Sequence, residues 1–416
     1  MPQTPPEGTD VIVVGAGAAG LWAAERLARG GRSVVLLEKT PRAGTKILAS
    51  GGTRCNLTTT LGPEPASALF GAGRRFVQPS LRALPPAAVR ARFHALGVPT
   101  VEEPQLEKVF PASQRARDVR DALLRAAVAA GVDLQLQAAV TGVEPAADGG
   151  WWVHGRGGPR RCRAVVLSAG GASYPKTGCT GDGYPWLRAL DLPVVAPVPA
   201  LVPLRSPQAW VRALSGVSLQ DVEARLLDRD DRIVARRARP VLFTHAGLSG
   251  PAAMDLSEPV ARGGAWTVAL DLVPHRPEAA LRAEIHDAAT RPGGPRLARL
   301  LGEGLPGRRL AAAARQAGLD DDNPLPYAVD RARRNKLVDA LKGLRVPVEG
   351  TLGWDEAEVT GGGLALDAVD RRTMAVAGRP GLYVIGELLD LTGPIGGLNF
   401  QAAFATAEAA AAALLR

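Results

Sequence analysis

Three glycines and one carboxylate carry the first chemical signal in this chain. Gly15, Gly17 and Gly20 stand at the spacing Gly-x-Gly-x-x-Gly within DVIVVGAGAAG, and Glu38 follows roughly twenty residues on, at the end of SVVLLEK. Each residue type has a task beside a phosphate. Gly15 permits a tight turn, Gly17 has no Cβ to hold a pyrophosphate away, and Gly20 lets the next element pack closely. Ala18 and Ala19 complete the turn with small side chains, and a helix starting there points unpaired N–H groups at the phosphates. The Glu38 carboxylate, with Lys39 next to it, can accept hydrogen bonds from an adenosine ribose, and its charge repels a 2′-phosphate. The chemistry is recognition of an adenine dinucleotide, with NADP disfavoured at this site. The motif by itself does not separate NAD from FAD.

The elements that must position these groups are a strand, a helix and a second strand. The β-branched run before Gly15 predicts the first, LWAAERLARGG the helix, and SVVLLEK the second strand. A matching constellation lies near the carboxyl end. A short strand from Leu382 to Ile385 precedes Gly386 and Glu387; a Gly/Pro-rich loop then reaches Gly396 and Gly397, and a long alanine-rich helix opens with Leu398 and Asn399. A flavin is held along its ribityl chain and at its pyrimidine edge, where reduction places negative charge. A helix N-terminus behind two glycines supplies bare N–H groups and positive dipole there, with Glu387 near the ribityl or pyrophosphate region.

Between them, residues 44 to 58 read GTKILASGGTRCNLT, too glycine-rich for a helix and too polar for a buried strand. Following Glu38 directly, this segment is expected to track the cofactor from ribose to ring, with Gly44 and Gly51 where side chains would collide. Lys46 and Arg54 supply charge near diphosphate or reduced flavin, and Asn56 supplies an amide. Ala169 and Gly170, ending the buried run RCRAVVLSAGG, pass close to the same cofactor.

On these segments the sequence resembles the bacterial FAD-dependent oxidoreductases of the aminoacetone oxidase-like family, which includes a bile-acid enone reductase and a ribosomal-RNA dihydrouridine synthase. The resemblance runs nearly end to end, through VVGAGAAG, KILASGGTRCNLT, KVFPASQRARDV, SAGGASYPKTGCTGDGY, FTHAGLSGP, VTGGG and GELLDLTGPIGGLNFQAAFATA. It departs at Gly397-Leu398-Asn399-Phe400-Gln401, where many members read Gly-Tyr-Asn-Leu-Gln. The resemblance implies FAD rather than one particular substrate. It also implies a discontinuous Rossmann-like α/β domain for FAD, interrupted by an insert with a β-barrel part and a helical part.

The residue pattern agrees with that division. Residues 1–194 form the first FAD segment and 351–416 the second; 195–350 form the insert, with barrel strands over about 195–272 and helices over about 273–345. The proline-rich LPVVAPVPALVPLRSP opens the insert, VEARLLD and RIVARRARPVLF read as strands, and PEAALRAEIHDAA and VDRARRNKLVDALKG read as helices. No secretory leader or membrane span is expected, which points to the cytoplasm and no membrane partner. Cys55, Cys162 and Cys179 form no CxxC pair, and the histidines show no ligand spacing, so neither disulfide nor metal is expected. The net charge of +9, with Arg331, Arg333, Arg334 and Lys336 clustered, admits contact with ribosomal RNA, although an arginine excess beside abundant Ala, Gly and Pro equally fits GC-rich coding.

A flavin exchanges hydride, and the protein supplies a proton and orientation. Only one convincing Gly-x-Gly-x-x-Gly unit is present, so NAD(P)H is expected to dock transiently as donor. Reduction of a polarised C=C bond needs an acid across the substrate; Cys55, eased by Arg54, is the leading candidate and His245 the second. Tyr174, Lys176 and Asp182 shape the cavity or cofactor loop, and Cys179 packs in the core. The expected function is NAD(P)H-fed reduction of a polarised or conjugated C=C bond, in a small molecule or an RNA uridine. The alternatives are a uridine of ribosomal RNA as substrate, an oxidase, and an RNA-binding protein with structural FAD.

Overall fold

The structure is a computed structural model that describes residues 9–103, 107–301 and 307–416. The chain forms two compact units: one takes it up to Pro199 and again from Trp354 to Arg416, and the other holds Ala200–Gly353.

The first unit is built on a five-stranded sheet. Its strands are β1 (Val11–Val14), β2 (Val34–Leu37), β3 (Asp133–Gln135), β4 (Ala164–Leu167) and β5 (Leu382–Val384), in the order β5-β4-β1-β2-β3. Every pairing is parallel, with Val11 opposite both Ala164 and Val34, and Val166 opposite Tyr383. Parallel strands covered on both faces read as continuous apolar runs, and every residue of β1 and β4 is buried. The strand from the distant carboxyl segment completes the sheet beside β4.

Helix α1 (Ala18–Arg29) packs against the C-terminal helix α4 (Leu398–Leu414). Small residues allow the approach, and Trp22, Phe93 and Phe404 fill the space with ring centroids 4.9 to 6.3 Å apart. Glu408 ties the helices by accepting from the Arg26 fork and from Trp22 Nε1 at 3.0 Å. Burial alone would raise the Glu408 carboxyl, but the hydrogen bonds from Arg26 and Trp22 outweigh it and hold its pKa below the usual value. Two further helices flank the sheet's cofactor loops, α2 (Thr45–Ala49) and α3 (Ala116–Ala129).

Several segments differ from expectation. GTKILASGGTRCNLT contains the short helix α2, started by Gly44 in a left-handed conformation (φ +68°) and anchored by buried Ile47. Its glycines flank the helix without entering it. RCRAVVLSAGG is divided between an antiparallel strand, Arg160–Cys162, and β4. Strands Thr100–Glu103 and Lys108–Pro111 run antiparallel to each other; residues 104–106 lie outside the described residues.

In the second unit the strands form two sheets, of five and four strands. RIVARRARPVLF breaks into Ile233–Ala238 and Val241–Phe243, which belong to different sheets. Pro240 lies at the break, where it donates nothing to a ladder. Helices Glu278–Ala289 and Arg331–Gly343 pack through Leu281, Ile285, Leu337 and Leu341 into one core with the strands. Among the described residues no helix is long and apolar enough to cross a membrane, and no cluster of metal-ligating side chains occurs.

Candidate cofactor site

The glycines of the first turn separate into two kinds. Gly15 has φ +102°, and a Cβ there would lie 2.5 Å from the Ser168 carbonyl oxygen; a Cβ at Gly20 would lie 1.9 Å from the Gly15 carbonyl oxygen. Packing within the protein therefore demands both. Gly17 is different: its φ of −78° suits any residue, and an added Cβ would meet nothing within 4 Å. Nothing in the protein needs a glycine there. The open space lies beside the N-terminus of α1, which no side chain caps, with Ala18 and Ala19 in its first turn. A bare Cα facing open space beside uncapped N–H groups is what a pyrophosphate requires, so these residues fit the adenine dinucleotide half of FAD.

Glu38 secures the turn. Its Oε2 accepts from Ala16 N at 2.9 Å, and its Oε1 accepts from Thr40 N and Oγ1, each at 2.8 Å. Lys39 is directed elsewhere, onto Asp182 and onto Thr180 Oγ1 at 2.5 Å. Partial burial pulls the Asp182 carboxyl up, and hydrogen bonds from Lys39 and Thr180 more than reverse it, so its pKa lies below the ordinary range. Ser168 Oγ, at the end of β4, donates to the carbonyls of Val14 (2.9 Å) and Gly15 (2.8 Å), which places Ala169 and Gly170 beside the turn.

The carboxyl-terminal motif joins the same site. Gly386 (φ +67°) lies so close that its added Cβ would be 3.1 Å from Ala19 Cβ. Next to it Glu387 gathers three other segments: Oε1 accepts from Ser173 Oγ (2.9 Å), Thr360 N (2.9 Å) and Lys46 Nζ (2.8 Å), and Oε2 accepts from Lys46 (2.6 Å). Lys46 thus has a counter-charge within the protein, which offsets the charge the sequence suggested for diphosphate or reduced flavin. Gly396 and Gly397 lead into α4, whose N-terminus again lacks a side-chain cap. A Cβ at Gly397 would come 2.1 Å from the Thr58 carbonyl oxygen and 2.9 Å from Asn56 Oδ1, so the loop containing Gly51 and Asn56 rests on this turn. Asn399 clamps the preceding loop, accepting from Gly393 N at 2.9 Å and donating to Gly393 O at 2.8 Å, while Leu398 is buried.

Two expectations for Cys55 and Arg54 are corrected. Cys55 is 0 % exposed, and burial pushes its thiol up to about 12 against a weaker opposing hydrogen bond with Ser50. Arg54 does not ease its ionisation. That guanidinium lies over Phe110, 3.9 Å from the ring centroid, donates to Gln114 Oε1 at 2.6 Å and pairs with Glu103. His245 belongs to the second unit, exposed on the turn between Val241–Phe243 and Gly247–Ser249. In the basic cluster, Arg333 pairs with Asp330 at 3.5 Å and Arg334 donates to the carbonyls of Pro326 and Val329, while Arg331 and Lys336 are exposed.

Sequence reasoning missed Ser168, Ser173 and Thr360 as organisers of the loops. It also missed Gln401, fully buried, which accepts from Thr58 Oγ1 (2.6 Å) and donates to Leu84 O (2.7 Å). A lone glutamine in an otherwise alanine-rich apolar helix was the available signal.

The relationship to known proteins is as extensive as this geometry implies. Residues 9–413 match the family described as HI0933-like protein Rossmann domain. The chain is 30% identical over 414 residues to the ribosomal RNA dihydrouridine synthase of Haemophilus influenzae, covering 97% of this chain and 98% of that protein. It is 31% identical to the Escherichia coli protein of the same name, covering 98% of each. To the 3-dehydro-bile acid delta(4,6)-reductase of Clostridium scindens it is 27% identical, covering 95% of this chain and 96% of that one. The chain therefore belongs to the HI0933-like Rossmann family and is an FAD-dependent oxidoreductase.

Proposed function

We propose that this protein reduces a carbon–carbon double bond conjugated to a carbonyl, and that the bond is C5=C6 of a uridine in ribosomal RNA, with NAD(P)H as electron source. One observation carries the substrate: similarity spanning 97% and 98% of this chain to two proteins named for dihydrouridine synthesis in ribosomal RNA. The bile-acid reductase named above supports the wider chemistry, since a ketosteroid diene and a uracil both present a C=C bond polarised by a carbonyl. The net charge of +9 favours the polyanion over the steroid.

When bound, FAD would supply the hydride for such a reduction, and the protein must see that a proton reaches the carbon next to the carbonyl. The protein's own residues do the positioning. The Gly15–Gly20 turn and the N-terminus of α1 hold the diphosphate; Glu38 meets the ribose; the network of Glu387 with Lys46, Ser173 and Thr360 fixes the loops around the ribityl region. Cys55, sealed in the core, is unsuited to deliver the proton. NAD(P)H would dock transiently, because the one parallel five-stranded sheet among the described residues would hold the flavin's own dinucleotide.

Deleting the gene should remove one dihydrouridine that mass spectrometry detects in wild-type ribosomal RNA, and restoring the gene should return it. Identical RNA from both strains would eliminate this substrate. A reduced enzyme that reoxidises in air within seconds would instead identify an oxidase.

A further inference from the structure

Arg54 stands in the most contorted stretch of the first unit. Gly51, Gly52, Thr53 and Cys55 all have positive φ, at 55°, 65°, 69° and 61°. For β-branched Thr53 that conformation is a true outlier, and such strain persists only where surrounding structure enforces it, most often at functional sites. The loop is also well placed. Asn56, two residues after Arg54, touches the Gly397 turn at the ring end of the cofactor site, where a substrate must lie to receive hydride.

The way Arg54 is held defines what it can offer. One face of its guanidinium lies on Phe110, itself buried, and its polar edge is engaged by Gln114 and Glu103. Glu103 offsets the charge, so the group is poorly suited to capture a phosphate. Yet 37% of the side-chain surface stays open, and neighbouring Gly52, with nothing within 4 Å of an added Cβ, puts no side chain in the way. An immobilised, charge-compensated plane with one covered face presents the other face, and planar guanidinium groups stack on nucleobases.

We propose that Arg54 is a substrate-anchoring residue, a platform on which a pyrimidine ring stacks at the flavin end of the site. This rests on the RNA function proposed above and assigns Arg54 to substrate, where the sequence suggested cofactor.

The test uses FAD-loaded protein and a fluorescent single-stranded oligouridine, with affinity measured across a salt series. Arg54→Ala and Arg54→Lys should each weaken binding by roughly tenfold, while the planar Arg54→Tyr recovers most of the loss. Melting temperature should fall only slightly, as the loss of a half-exposed ion pair and a ring contact allows, and FAD content should not change. The dependence of log Kd on log salt should keep its slope, because a stack releases no counterions. A slope shallower by about one would make Arg54 a phosphate contact; unchanged affinity in Arg54→Ala, or full affinity in Arg54→Lys, would overturn the platform, as would failure of the wild type to bind oligouridine. The function is judged separately by the RNA of the deletion strain: if dihydrouridine is unaffected there, the oligouridine series still decides the role of Arg54.

Discussion

Replacing Gly17 and Gly20 by alanine, one at a time, should separate cofactor binding from folding within a single turn. At Gly20 the new Cβ would sit 1.9 Å from the Gly15 carbonyl oxygen, far inside van der Waals contact, so α1 or the turn must move. Overpacking of that kind costs about 1–3 kcal/mol, and the apoprotein should melt earlier. At Gly17 the new methyl meets no protein atom within 4 Å, and φ is already −78°. The folding cost there should be limited to that of alanine at a helix N-cap, at most about 1 kcal/mol. The same methyl stands in the open space where we propose that the pyrophosphate packs, and losing one hydrogen bond to a charged group costs about 1.5–3 kcal/mol, which is roughly a 10- to 150-fold rise in Kd. The assay is thermal melting of stripped protein, followed by titration with FAD monitored by flavin fluorescence. Gly17→Ala should be nearly as stable as wild type and poor at holding FAD; Gly20→Ala should be the less stable apoprotein. If Gly17→Ala binds FAD with wild-type affinity, the open face beside α1 is not the diphosphate site.

Two further outcomes follow, one from buried thiols and one from a half-buried ion pair. Burial pushes the Cys55 and Cys162 thiols up from 9.0 to about 12, so folding favours the protonated forms. The associated stability is intact below the ordinary thiol pKa and is lost as pH rises from about 9 toward 12, by about 1.4 kcal/mol per pH unit for each thiol; denaturant unfolding across that range should show the decline, and Cys55→Ala should lessen it while leaving turnover at neutral pH unchanged. Lys46→Met and Glu387→Gln should each lower apoprotein stability by about 1–3 kcal/mol, and the double variant should lose less than their sum. Strict additivity would show that the pair is not coupled.

The terminal motifs were legible because their signals are local. A β-branched run, a glycine spacing and an acid at the next strand's end all depend on neighbours within one βαβ unit, and the same holds for β5, Gly386 and α4. What the sequence hid is long-range. Glu387 meets Lys46 across 341 positions and Ser173 across 214, and no periodicity reports such partners. Cys55 misled for a related reason: its neighbour in sequence, Arg54, is not its neighbour in space, because positive φ at Thr53 and Cys55 turns the guanidinium toward Phe110 and the thiol into the core. Proline decided another boundary, dividing one apparent strand between two sheets at Pro240. The small helix α2 escaped notice because residues 45–49 alone carry helix-forming character, between Gly44 at its N-cap and the Gly51–Gly52 pair just past its Ser50 C-cap.

The most direct measurement is the identity and amount of nucleotide released when the purified, natively folded protein is denatured. The converging glycine turns require FAD, close to one molecule per chain, with NAD absent from the extract. Colourless protein that takes up no added FAD, or a stoichiometric release of NAD in its place, would contradict the assignment of Gly17, Glu38 and the Gly396–Gly397 turn to a flavin dinucleotide.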